Sequence, residues 1–124
     1  MKKRSYKITF DLKEGYTENG RVHTAKFAGN IINDWMQSRL VDKKPIVSGF
    51  LQEGILFFPK PGSKLTVIAS PSAVFSGELS SPEDIKRKNK EVKQTLESLA
   101  AALKEGLKQE AVFIIYRDVN WCIK

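Results

Sequence analysis

Only one cysteine, Cys122, and one histidine, His23, occur among the 124 residues. A lone cysteine excludes an internal disulfide and suits a reducing compartment. A lone histidine excludes a multi-histidine metal site. No apolar run approaches the ~20 residues that a membrane-spanning helix needs. The basic start Met1-Lys2-Lys3-Arg4 leads into Ser5-Tyr6-Lys7-Ile8-Thr9-Phe10-Asp11, which alternates where a signal peptide would be continuously apolar. A cytoplasmic protein is therefore expected, with no membrane partner. Glycine-rich nucleotide motifs of the GxGxxG or GxxxxGK[ST] type are missing, as are internal repeats and low-complexity segments. Nothing in the chain calls for a cofactor or a metal.

What is present is an ordinary globular composition, 41% hydrophobic and 28% charged, with a net charge of +7. That composition argues against disorder, and the length suits one domain over residues 1–124. The excess charge is uneven. Residues 1–64 carry 12 Lys/Arg against 6 Asp/Glu, while residues 83–110 carry 7 against 6. Most of the cations are lysines, which serve solubility as readily as phosphate binding, so the charge permits an acidic partner without identifying one.

Periodicity supplies the architecture. Tyr6, Ile8, Phe10 and Leu12 alternate with polar residues, which predicts a half-buried strand. After a polar loop with an Asn19-Gly20 turn, Phe27/Ala28, Ile31/Ile32, Trp35/Met36 and Leu40 form an apolar stripe. It predicts a helix from about Thr24, its N-cap, to Val41. This stripe makes Trp35 a core residue. A hairpin is expected from 46–51 and 55–58 around Gln52-Glu53-Gly54, followed by strands at 64–70 and 73–79 broken at Pro71. Ser81-Pro82-Glu83-Asp84 opens a second helix, expected to run unbroken from Pro82 to Glu105 and to span roughly 36 Å. Gly106 is its expected stop. Ala111 to Tyr116 is apolar on both faces, as a central strand is, and Val119, Trp121 and Ile123 continue as strand.

The order β-α-β-β-β-(β)-α-β predicts an α+β fold, an antiparallel sheet of five or six strands with two helices on one face. That order is similar to the ferredoxin-like plait and to the small dimeric α+β-barrel proteins built on it. The helix–three strands–helix core is also similar to a double-stranded-RNA-binding domain, whose Lys-Lys-x-Ala-Lys type motif is missing here. A sheet with helices on one face needs cover for the other. Phe113 and Ile115 are apolar there, so a homodimer is expected.

The first functional reading is a small non-catalytic binding protein with a cleft for a small molecule or a protein. Its ligand-binding candidates are Tyr16, Arg21 and His23 around the mouth of the first helix, and Trp121, whose indole pairs a large apolar face with one donor. A second reading is a nucleic-acid-binding module using Lys86, Lys90 and Lys93 with the Lys2-Lys3-Arg4 arm. A third is a small enzyme with His23 as acid or base. Asp11 and Asp118 could pair as carboxylates only if the fold joined them. Cys122, with no evident activating neighbour, is expected to be inert.

Overall fold

The computed structural model describes residues 4–15, 19–117 and 119–124, with only the backbone at Asn120. It contains β1 (Arg4–Asp11), α1 (Ala25–Val41), β2 (Phe50–Pro59), β3 (Val67–Leu79), α2 (Pro82–Ile85), α3 (Asn89–Gly106), β4 (Val112–Tyr116) and β5 (Val119–Ile123). The strands form one sheet in the order β2-β3-β1-β4-β5, with every neighbouring pair antiparallel. The fold is α+β, as the element order implies.

β1 is central because its alternation is strict. Tyr6, Ile8 and Phe10 are buried under the helices, beside Ala73 and Phe75 of β3 and Ile114 and Tyr116 of β4. From α3, Val92, Leu96, Leu99, Ala100 and Leu103 are fully buried against them. The stripe of α1 is narrower than its periodicity suggested. Ala28, Ile32 and Trp35 are buried, but Phe27 and Leu40 are exposed. Thr24 caps α1 as expected, its hydroxyl accepting from the Phe27 amide at 3.0 Å.

Three boundaries differ from the sequence expectation. Gln52-Glu53-Gly54 does not turn: β2 runs straight through it, pairing Gly54 with Ser72 and Ile55 with Pro71. The turn lies instead between Pro59 and Val67, where Lys60 N donates to Thr66 O at 2.8 Å. The two strands expected around Pro71 are the single strand β3. Proline is tolerated there for a specific reason. Backbone N and O of one strand residue point the same way, and the Pro71 carbonyl accepts from Leu12 N at 2.9 Å. An N–H at residue 71 would therefore face Leu12 O, which is already taken by His23 N at 2.7 Å. The missing donor costs the ladder nothing.

The third difference is the second helix, which breaks into α2 and α3. Ser81 and Asp84 form a capping box on α2, and Lys88 then turns extended, with φ −84° and ψ 143°. Charge chemistry holds the break. Arg87 donates through Nε and Nη2 to Glu91 at 2.9 and 2.7 Å, and through Nη1 to Ile46 O at 2.7 Å and Asp84 Oδ1 at 3.3 Å. Arg4, from the start of β1, donates to the carbonyls of Arg87, at 2.8 Å, and Asp84. At 18 residues, α3 is roughly 27 Å long, well short of the roughly 36 Å expected of an unbroken helix. Gly106 is not a cap either, since the left-handed residue after α3 is Lys108 (φ 53°). Its bare backbone makes room for Ile31 of α1, whose side chain would collide with a Cβ.

Arg87→Met should cost about 1–3 kcal/mol, a range reduced for partial exposure, because it removes the guanidinium that two carboxylates and the Ile46 carbonyl share. The hydrogen bond from Arg87 holds the Glu91 carboxyl below its usual range. Glu91 thus contributes stability above its unfolded pKa, lost as pH falls through its lower folded value. Denaturant melts from neutral to acid pH should show this loss in wild type and not in Arg87→Met. Parallel pH profiles would contradict the linkage.

Candidate active site

The face of the sheet away from the helices is built from the odd residues of β1 and their neighbours. Phe50, Ser76, Lys7 and Ile115 make one row, Gln52, Val74, Thr9, Phe113 and Cys122 the next, and Gly54, Ser72 and Asp11 a third. Beyond the end of β1, the β2–β3 hairpin continues with Leu56 opposite Ser70 and Phe58 opposite Ile68. Two cavities open there. One, about 240 Å³, is lined by Thr9, Phe10, Leu56, Gln109, Ala111 and Phe113. The other, about 440 Å³, is lined by Lys13, Gly15, Pro61, Thr66, Ile68 and Ser70 among others. Asp11 and Phe58 belong to both.

Asp11 is therefore the wall between two mostly apolar spaces. Its carboxylate is half-buried, and no described residue gives it a hydrogen bond or an ion pair. Burial alone pushes its pKa above the ordinary value of 3.8. An acid without a partner in an apolar setting is costly unless a ligand uses it. Apolar and aromatic walls around a few charged groups, here Asp11 with Lys13 and Lys60 on the larger cavity, are the usual make-up of a small-molecule site.

A larger cleft, about 570 Å³, lies at the opposite end of β1, lined by Tyr6, Ser48, Glu78, Glu83, Asp84, Arg87 and Glu91 among others. Its buried groups are already matched. The Tyr6 hydroxyl donates to Ser48 O at 2.6 Å, and burial, with the Asp84 charge adding, pushes this phenol far above its usual range. Arg87 is shared between Asp84 and Glu91. That cleft is a tether for the α2–α3 break; the Asp11 cavities carry the unmatched charge.

The residues picked from sequence lie elsewhere and apart. His23 is buried, stacked on Phe27 at 4.7 Å, with Nε2 2.9 Å from Glu14 Oε1. Arg21 is exposed beside it, and Tyr16 lies outside the described residues. Trp121 sits on β5, opposite Ile114 and two strands away from β1, half-buried, its Nε1 sealed without a partner. Lys90 and Lys93 are on α3, but Lys86 caps α2 before the break, so the three do not share one helix face. Lys2, Lys3 and Asp118 lie outside the described residues, which leaves the basic arm and the Asp11–Asp118 pair without a description. Among the described residues no cluster of three or more His, Cys, Asp or Glu is placed to hold a metal. No helix there is long and apolar enough to cross a membrane. Sequence reasoning passed over Gln109 and Phe58 and read Phe113 only as a surface for a second subunit. The one signal available was Asp11 itself, an acid at the end of an otherwise apolar-alternating strand.

No family model and no curated protein matches the chain by sequence. Solved structures do match by shape. A phage SAM lyase in complex with S-methyl-5'-thioadenosine superposes with a TM-score of 0.68 at 14% identity, over 98% of this chain and 89% of that one. The chain has the fold of a phage SAM lyase. The same lyase in its apo state gives a TM-score of 0.69 at 13% identity, over 98% and 88% of the two chains. These matches correct the expectation of a small non-catalytic binding protein, because the fold they share end to end with this chain is one an enzyme uses. The nucleic-acid alternative gains nothing from them.

Proposed function

We propose that this chain is a lyase that cleaves a carbon–sulfur bond of a sulfonium nucleoside such as S-adenosylmethionine, at the Asp11 cavities. The observation that carries the reading is a carboxylate without a partner among the described residues, set between two mostly apolar spaces on a fold shared with a SAM lyase. A sulfonium is a permanent cation attached to apolar groups. Asp11 supplies the counter-charge, and a cation within about 4–6 Å favours the ionised form that burial disfavours.

The chemistry balances without water. The carbon–sulfur bond breaks and its electron pair stays on sulfur, so the cation becomes a neutral thioether. The carbon that loses sulfur takes a new pair from the substrate's own carboxylate, which closes a ring; no proton need leave. The positive and negative charges of the substrate cancel as this happens. A cavity walled by Phe58, Leu56 and Phe113 raises the energy of separated charges and so favours a reaction that annihilates them. The test is to incubate the protein with S-adenosylmethionine and measure S-methyl-5'-thioadenosine by chromatography. Thioether formed no faster than with Asp11→Asn would end the reading.

The same reading keeps the homodimer and the cytoplasmic setting expected from sequence, the latter in keeping with the free thiol of Cys122. Phe113 and Ile115 are exposed on the open face, and so are Phe50 and Leu56 of β2. A second copy seated there would cover this surface and screen the cavities from water. Sedimentation at ~100 μM is expected to give a dimer mass; a strict monomer would remove this part of the proposal.

A further inference from the structure

Gln109 lines the smaller cavity. The residue is only 5% exposed. Its Nε2 donates to Lys13 O at 2.8 Å and Leu107 O at 3.2 Å. Two carbonyls around one amide atom fix the orientation, since only the nitrogen can donate to both. The other atom, Oε1, receives no hydrogen bond from any described residue. It is not sealed off, because among the described residues Trp121 Nε1 alone is both fully enclosed and without a partner. A nearly buried acceptor, locked by its own donor atom on a residue that lines a cavity, fits a ligand N–H.

The rest of the cavity fits a flat ring. Phe58 and Phe113 flank it, with Leu56 and Ala111 beside them. Asp11 stands at the boundary with the larger cavity, which has Lys13 on its wall. We infer that the smaller cavity is a base slot that takes an amino-bearing purine, with Gln109 Oε1 accepting from its exocyclic amine. A 6-oxo purine offers an oxygen at that place and would set acceptor against acceptor. Gln109 is thus a specificity-determining residue. The inference deepens the proposed lyase reading by giving the base of the nucleoside, and it rests on that reading for the choice of a nucleoside ligand.

Binding separates the two ideas, because a neutral thioether nucleoside cannot be turned over. Titration calorimetry of the wild-type protein with S-methyl-5'-thioadenosine and with its 6-oxo counterpart, S-methyl-5'-thioinosine, compares the two bases in one folded molecule. The 6-amino ligand should bind about tenfold or more tightly, the scale of one hydrogen bond between buried groups. Leu56→Trp, at a partly exposed position on β2, should fill the slot and abolish binding of both ligands with the melting temperature unchanged. Gln109→Met should bring the two ligands within about twofold of each other if it folds; the wild-type comparison and Leu56→Trp stand if it does not. Equal affinity of wild type for the two ligands, no binding of either, or undiminished binding by a folded Leu56→Trp protein would overturn the inference. Preference for the amino base without cleavage of S-adenosylmethionine would remove the lyase reading and leave the base slot standing. Cleavage without base preference would do the reverse.

Discussion

Asp11→Asn should lower kcat/KM for S-adenosylmethionine about tenfold or more, by weakening the hold on the sulfonium cation, and should raise stability at neutral pH. The two effects share one cause. The Asp11 carboxylate is half-buried without a described partner, and burial raises its pKa in the folded chain. Folding therefore favours its protonated form. Above the raised folded value the native protein carries a poorly solvated charge that the unfolded chain does not. As pH falls through the folded value toward the unfolded value of about 3.8, that penalty is relieved and stability rises. Asn carries no charge at any pH. The stability gap between variant and wild type should be largest near neutrality and close below roughly pH 4. Thermal melts across that range measure it. A variant less stable than wild type at pH 7 would mean that Asp11 has a structural partner and would weaken its assignment to the site.

Trp35→Ala should destabilise by about 3–5 kcal/mol, the usual cost of removing a large core side chain. Trp35 is 8% exposed between α1 and α3. Its Nε1 donates to Ser98 Oγ at 3.0 Å, which also accepts from Arg39 at 3.3 Å. The Arg39 guanidinium lies over the ring, 5.3 Å from its centre. Truncation opens a cavity and removes the platform on which Arg39 rests. Trp35→Phe keeps most of the burial and should lose much less. Denaturant melts of the three proteins decide; a cost below ~1 kcal/mol for the alanine variant would place the indole outside the core.

Patterns that involve one element at a time were legible in the chain. The alternation of Tyr6, Ile8 and Phe10 gave β1, Thr24 and Ser81 gave helix starts, and the element order implied the α+β fold. Boundaries set by partners far away in sequence were not. Whether Pro71 breaks a strand depends on His23 having taken the Leu12 carbonyl, and whether Pro82 to Glu105 stays one helix depends on Arg4 and Ile46. The candidate site was hidden for the same reason. Asp11, Phe58 and Gln109 are about 50 residues apart in the chain, and each alone looks like a strand end or a loop. His23 stood out because it is the only histidine, yet Glu14 and Phe27 already account for its side chain.

The sheet order has a consequence for how the chain reaches its native state. The strand made first lies in the middle, and its partners lie about 70 and 110 residues further along. While the chain is being made at the ribosome, the β2–β3 hairpin can close on itself, but Tyr6, Ile8 and Phe10 stay unpaired until β3 has emerged and lack their second neighbour until β4 follows. Such distant pairing places refolding in the millisecond-to-second range. It also makes the nascent first strand the segment most exposed to wrong partners, and the one a holding chaperone would grip.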